Sequence, residues 1–358
     1  MTQFLFVSNI MPELPSLERG KRLCENYLVG KTIITISAIE TGGGPRHGKF
    51  DDNVFAATKT GMTHTKVEKR LKGATIQSVN RKGKHVWLTL SQIKTEPKSG
   101  GKRKRRGGGA KAKTSENGDT FDVLFHFGMS GNFVVNGVQE RGYARQKGSK
   151  YLKVDSIYED AEKSRKRANA ELSVVAEFPP KYSKLYFELN DGTEFVFICP
   201  RRFGKVKLFP TVLDEHPING LGFDPLYEMP TPKLFKKLLQ ERSGNVKKNL
   251  LDQSFCAGIG NWIADDVCLM ARIHPGKAVN SLIDKQFKAL HKAIKTVVKI
   301  ACDANGDSAK FPKNWLFHFR WSKVKTGLKY PPAKNERIAF ETIAGRTTAI
   351  VKSLQKKT

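Results

Sequence analysis

Residues 121–131 read Phe121-Asp122-Val123-Leu124-Phe125-His126-Phe127-Gly128-Met129-Ser130-Gly131. Phe121, Val123, Phe125 and Phe127 stand at alternate positions, the spacing that puts four large apolar side chains on one face of a strand. Gly128 and Gly131 then interrupt the run with a turn. The same period recurs on either side. Ile34, Ile36 and Ala38 alternate with Thr35 and Ser37, and Val86, Leu88 and Leu90 alternate likewise. Residues 185–189, 195–199 and 206–209 continue the pattern, with Asn190-Asp191-Gly192 as one of the intervening turns. So many short strands predict an antiparallel β-sandwich. One helix precedes them, with Leu14, Leu17, Cys24, Tyr27 and Leu28 on one face and Gly30 at its end.

Beyond about residue 224 the period lengthens. Thr231-Pro232 opens a helix carrying Leu234, Phe235, Leu238 and Leu239. Ile263, Val267 and Met270 mark a second helix, and Phe287, Leu290, Ile294, Val297 and Ala301 a third. After Lys310 the sequence turns strand-like again, with 337–342 and 347–351 flanking Ala344-Gly345-Arg346. The chain therefore divides into an extension at 1–10, a β-rich domain at 11–209, a linker at 210–223, a helical domain at 224–312, and a hairpin with its tail at 313–358.

The 358 residues are 39% hydrophobic and 27% charged, a globular balance sufficient for two domains. Lys and Arg total 63 against 34 Asp and Glu, a net charge of +29 that calls for a polyanionic partner, nucleic acid or an acidic membrane surface. No stretch approaches the ~20 apolar residues of a membrane span, which excludes an integral membrane protein. Cys24, Cys199, Cys256, Cys268 and Cys302 form neither a disulfide framework nor a Cys-x-x-Cys zinc pair, and a reduced intracellular compartment fits them. Residues 94–116 hold nine basic and two acidic residues and read as a flexible loop. Without that loop the charge is still +22, so the basic character belongs to the folded body. The run 102–106 suits a nuclear address or a nucleic-acid tether, or is a plain solvated insertion. A second insertion spans 138–176, with a short helix around 159–172.

Four strings could carry chemistry. Pro12-Glu13, ahead of Leu14-Pro15-Ser16, is a rigid helix lead-in unless Pro12 begins the mature chain. Its secondary amine could then attack an aldehyde carbon, with Glu13 beside it as an acid; a terminal amine of pKa ~8 is partly unprotonated at neutral pH. Gly258-Ile259-Gly260-Asn261, with Asn261 as the cap, offers exposed amides at a helix start, and with Lys247 and Lys248 upstream it reads as a phosphate clamp. Pro200-Arg201-Arg202-Phe203-Gly204 ends a strand with two arginines flanking an aromatic side chain, a combination suited to holding phosphate and filling a vacated base stack. Met129, on the Gly-rich turn that follows His126, is a second wedge candidate or a core residue.

These strings occur in order with Arg81-Lys82-Gly83-Lys84, Gly222-Phe223-Asp224-Pro225-Leu226, Arg272-Ile273-His274-Pro275 and Gly345-Arg346-Thr347-Thr348. Together they resemble the formamidopyrimidine-DNA glycosylase family, from Met11 to about Lys352 and broken by the two insertions. The region from Asn314-Trp315-Leu316-Phe317-His318 through Arg346 is most similar to the plant and fungal branch. The resemblance implies an α+β fold: a two-layer antiparallel β-sandwich with helices, then a helix–two-turn–helix domain ending in a finger hairpin. It implies a bifunctional glycosylase and lyase acting on double-stranded DNA with damaged bases or abasic sites. Pro12 would form a Schiff base with the sugar, Glu13 would protonate the ring oxygen, and the strand would be cut by β,δ-elimination. Lys84, His126, Asn261 and Arg346 would hold phosphates, with Lys84 and Arg346 counted in the catalytic set. Met129, Arg201 and Phe203 would fill the gap left by the flipped nucleotide.

Three departures accompany the resemblance. Met1 to Ile10 precede Met11, and initiation at Met11 with methionine removal is the expected route to a free Pro12. Ser16 stands where the family often has Glu. No cysteine follows Cys302, so a four-thiolate zinc site is impossible and a zincless finger with no metal cofactor is expected. The protein is expected to be a nuclear monomer, with an organellar location also open, and 8-oxoguanine is not expected to be its best substrate. Two other readings are a non-catalytic binder of damaged DNA, should the extension remain, and a ribosomal-type RNA-binding protein, which would not need Pro12-Glu13 or Lys84.

Overall fold

The computed structural model describes residues 12–92, 118–138, 178–321 and 329–356. The basic loop at 94–116, the short helix expected around 159–172 and the extension at 1–10 lie outside the described residues.

Among the described residues eight strands build the first half: β1 (Ile33–Ser37), β2 (Thr75–Lys82), β3 (His85–Gln92), β4 (Asp119–His126), β5 (Asn132–Val135), β6 (Ser183–Leu189), β7 (Glu194–Ile198) and β8 (Lys205–Phe209). They form two four-stranded antiparallel sheets, ordered β2-β3-β4-β8 and β1-β6-β7-β5. The period-two faces meet between them. Val86, Leu88, Leu90, Phe121, Val123 and Phe125 of one sheet share a core with Phe133, Leu185, Phe187, Phe195 and Phe197 of the other. Phe125 contacts Phe133 edge-on at 4.9 Å between ring centroids and Phe197 at 5.4 Å, the edge-to-face geometry aromatic quadrupoles favour. The helix Leu14–Leu28 closes this core with Leu17, Leu23, Cys24 and Leu28, while its first residue, Leu14, enters the core of the second half.

That second core gathers the helices Pro232–Gln240, Val246–Leu251, Asn261–Met270 and Asp284–Asp303 around Trp262. The Thr231 side chain caps the first of them by accepting from Leu234 N, as the Thr-Pro start requires. The chain then adds β9 (Lys329–Tyr330), β10 (Glu336–Arg337), β11 (Ala339–Ile343) and β12 (Arg346–Ile350), with β11 and β12 paired as a hairpin. Ala344 and Gly345 both take positive φ, the geometry of a two-residue hairpin turn, and Arg346 is the next residue.

The sandwich, the helical domain and the terminal hairpin agree with the sequence reading. Some details differ. A bulge in β1 between Ile33 and Thr35 moves the buried side chain to Ile33, and Ile34 is 45% exposed. Tyr27, Leu234 and Met270 are exposed at the edges of their helical stripes. The helices His64–Leu71 and Val246–Leu251 were not expected, being short and polar. All five cysteines are buried, and none is in a disulfide. Among the described residues no helix is long and apolar enough to cross a membrane.

Candidate active site and nucleic-acid interface

The site is built where the first helix meets the turn before the helix Asn261–Met270. Leu14 N donates to Gly258 O at 3.1 Å, which seats the start of the chain's first helix on the 258–260 turn. Gly258 has φ +101°, and a Cβ there would lie 2.6 Å from Leu14 Cδ1; a Cβ on Gly260 would collide with the Glu13 carboxylate. Both glycines are thus demanded by this contact. The Glu13 carboxylate accepts from Gly260 N at 3.0 Å, Trp262 N at 3.0 Å and Ile263 N at 3.2 Å. Burial pushes its pKa above the ordinary carboxylate range, against the pull of Lys84 and the amides.

This geometry corrects the reading of the glycine turn. The amides are not open to an external anion, because Glu13 occupies them. Asn261 is not the cap; it is the first helical residue, and its Nδ2 donates to Thr347 O at 3.0 Å. It still lies on the site, joining the turn to β12.

Lys84 sits in the β2–β3 turn and donates from Nζ to Ile259 O at 2.9 Å, on the same turn that carries Glu13. Burial lowers its pKa, and the nearby Glu13 charge offsets only part of that, while Arg346 adds to the lowering. Pro12-Glu13, Lys84, Asn261 and Arg346 therefore converge, although 334 residues separate the ends of the set. Asp224 fixes the Lys84 turn by accepting Gly83 N at 2.8 Å and two Arg81 nitrogens at 2.5 and 3.1 Å. Arg81 also donates to Glu18 at 2.7 Å, so a buried ion network joins β2, the first helix and the start of the helical domain. Arg81 and Asp224 fell within motifs of the sequence reading, yet nothing in the sequence pairs them.

The wedge candidates lie on two touching loops. Gly128 has φ +59°, and a Cβ there would run into the Phe203 backbone. Ser130 Oγ accepts from Arg201 N at 3.1 Å. Phe203 is 55% exposed, with the Arg201 guanidinium 5.6 Å from its ring centre, and Met129 is half-buried beside them. His126 accepts Gly128 N at Nδ1 at 3.1 Å. Burial, then Lys84 and Lys205, hold its pKa down to about 4.

Arg202 does not belong to this set. Its side chain makes a two-point pair with buried Asp51, at 2.8 and 2.9 Å, and its backbone takes φ 58°. Asn53 Nδ2 adds a bond to Arg202 O at 3.0 Å. The 51–53 segment thus anchors the loop that presents Arg201 and Phe203. Burial alone would raise the Asp51 pKa, but hydrogen bonds from Arg202 and Lys184 outweigh it and leave it at about 2. A depressed carboxylate stabilises the fold above its unfolded pKa of 3.8, and that contribution disappears as pH falls toward 2. Asp51→Asn should cost about 2 kcal/mol at neutral pH. Urea unfolding should show the difference from wild type shrinking across that acid window.

Lys247 is corrected as well. It is fully buried, with Nζ 2.5 Å from Asp265 and 2.7 Å from Thr348 Oγ1, so it ties the helix to β12 and faces no phosphate. Asp265 also takes Arg320 at 2.7 Å and Ala349 N at 3.1 Å. Sequence reasoning missed Asp51, Asp265 and Arg320, which lie outside every motif it singled out. Among the described residues no three His, Cys, Asp or Glu side chains gather where they could hold a metal ion.

Comparison with known proteins matches this architecture. The family model described as the formamidopyrimidine-DNA glycosylase N-terminal domain covers residues 11–206, and the one described as the formamidopyrimidine-DNA glycosylase H2TH domain covers 221–313. The chain is 34% identical to an Arabidopsis thaliana formamidopyrimidine-DNA glycosylase across 97% of its own length and 71% of the relative's. It is 25% identical to that of Bacillus subtilis over 97% and 100% of the two chains. The crystal structure of the Lactococcus lactis enzyme bound to DNA containing an AP site shares the fold, with a TM-score of 0.63 over 96% of this chain and 100% of that one at 23% identity.

Proposed function

Since the chain belongs to the formamidopyrimidine-DNA glycosylase family, we propose that it excises oxidised bases from duplex DNA and then cleaves the strand at the abasic sugar. One observation carries the reading most directly: Glu13, next to Pro12, is held by three amides of the 260–263 turn while Lys84 grips the same turn. Glu13, its neighbour Pro12 and Lys84 thereby meet at the 258–263 turn. When Pro12 is the first residue, its nitrogen can add to the sugar aldehyde carbon, losing water to give an iminium. Glu13, whose pKa burial raises above the ordinary carboxylate range, is the acid that opens the sugar ring. Lys84, Asn261 and Arg346 hold phosphates around the lesion, and Met129, Arg201 and Phe203 occupy the space the nucleotide leaves.

The test is borohydride trapping on a duplex with one abasic site, using protein started at Met11 and sequenced to verify Pro12 at its terminus. A covalent adduct is expected, and none when the chain retains residues 1–11, because an amide nitrogen cannot attack. Tight binding without an adduct from a free Pro12 would refute the lyase step. We also place the protein in the nucleus on the strength of the basic run 102–106, a location that the distribution of a tagged chain with and without that run would test.

A further inference from the structure

The outer face of the β2-β3-β4-β8 sheet carries a row of basic side chains, imidazoles and lysines, of which the active-site reading uses only His126. Strand register sets His85 opposite His126, and His126 opposite Lys205, so the three side chains stand side by side across three strands. Antiparallel partners point to one face at a spacing of about 5 Å; the two imidazole centres are 4.9 Å apart. One step along, Leu124 is opposite Lys207, which brings a second lysine onto the same face. These side chains and Pro217 line a cavity of about 190 Å³, and no carboxylate lines it. At ~30 Å³ per water that is room for about six waters, enough for a phosphate group and part of its hydration.

Neither lysine of the row makes an ion pair among the described residues. His85 Nδ1 is buried with no hydrogen-bond partner. Lys207 makes no hydrogen bond or ion pair among the described residues. Lys205 donates only to neutral oxygens of Asn53, at 2.5 and 2.9 Å, and the nearby Asp51 charge is already engaged by Arg202 and Lys184. Burial keeps both imidazoles neutral, and the charges acting on His85 are those of His126, Lys84, Lys207 and His216. A cavity lined by positive charge of one sign focuses the field and raises the local concentration of anions.

We propose that His85, Lys205 and Lys207 join the phosphate-holding His126 in a phosphodiester subsite that seats one backbone phosphate of the bound duplex. This rests on the glycosylase reading and extends its DNA track past His126 onto β8. An anion placed between the strands would accept from the two ammonium groups and from the imidazole edges, charge-assisted bonds of the stronger class.

The experiment couples protein and DNA changes. Wild-type protein that already forms the trapped adduct is bound to duplexes carrying a stable abasic analogue and a single neutral methylphosphonate, moved position by position. One position should weaken wild-type binding about tenfold and leave the Lys205→Gln/Lys207→Gln double variant unaffected. On unmodified DNA that variant should bind about tenfold more weakly, with the slope of log affinity against log salt reduced by ~0.9. Its thermal unfolding, unchanged from wild type, would show that the loss is not one of folding. Additive losses at every position, or an unchanged salt slope, would overturn the subsite while leaving the trapped adduct, and so the glycosylase reading, intact. Perturbation of the His85 and His126 resonances by inorganic phosphate without any methylphosphonate coupling would assign the cavity to free phosphate and overturn its role on DNA.

Discussion

Glu13→Gln should lower excision of a formamidopyrimidine from duplex DNA by ~10²–10⁴-fold, the range a positioned general acid contributes. The substitution keeps the side chain's size, so the effect isolates the proton. In wild type the carboxylate takes three amides, two on one oxygen and one on the other. A Gln amide offers a single acceptor oxygen, and its NH₂ group would face an N–H donor, so at least one of those bonds is lost. The helix start would weaken by about 1 kcal/mol, too little to account for the predicted rate. The pH profile separates the two effects. Burial raises the Glu13 pKa, so wild-type single-turnover excision should fall as pH climbs through that raised value. The Gln variant has no proton to lose there, and its slow rate should lack that limb. A variant profile with the same limb would assign the acid to another group. Trapping on a preformed abasic site should survive the substitution at reduced rate, because the Pro12 nitrogen is untouched.

The fold was legible wherever burial has a period. The stripe Phe287, Leu290, Ile294, Val297, Ala301 became one face of the helix Asp284–Asp303, and the alternation from Phe121 to Phe127 became the inner face of β4 and the residue beyond. Such patterns are local and survive in a string of letters. Charge partners do not. Arg202 and Lys247 were read as DNA contacts because a basic residue in a basic protein looks available, yet the carboxylates that claim them lie 151 residues and 18 residues away. The same gap explains the glycine turn. Its amides were rightly seen as an anion site, but the anion is Glu13, 247 residues earlier in the chain. What the sequence hid was which buried ions the tertiary fold would pair, and those pairs hold the site's loops in place.

The second large effect follows from one such pair. Asp265→Asn should detach the finger hairpin and with it most of the affinity for DNA. A two-stranded hairpin is marginal on its own, and β11 and β12 have only five residues each. Asp265 meets Lys247 at 2.5 Å and Arg320 at 2.7 Å, and accepts Ala349 N of β12 at 3.1 Å, with Asp265 and Lys247 fully buried and the Arg320 side chain nearly so. Neutralising it leaves two buried cations without their counter-charge, a cost of about 3–5 kcal/mol. Lys247 also bonds Thr348, so the charge imbalance is delivered directly to the strand that begins with Arg346. Amide exchange across 346–350 should accelerate, whereas the β-sandwich amides keep their protection. Arg346→Ala is the matched control: it removes an exposed side chain at the hairpin turn and should weaken DNA binding with exchange across 347–350 unchanged. Only Asp265→Asn should lose both. If its hairpin instead stayed as protected as wild type, the apolar cluster of Leu269, Leu316, Tyr330, Ile338, Ala349 and Val351 would be sufficient to dock the finger. The buried ions would then matter for register alone: they would fix where Arg346 points, and DNA affinity would fall without any opening of the strands.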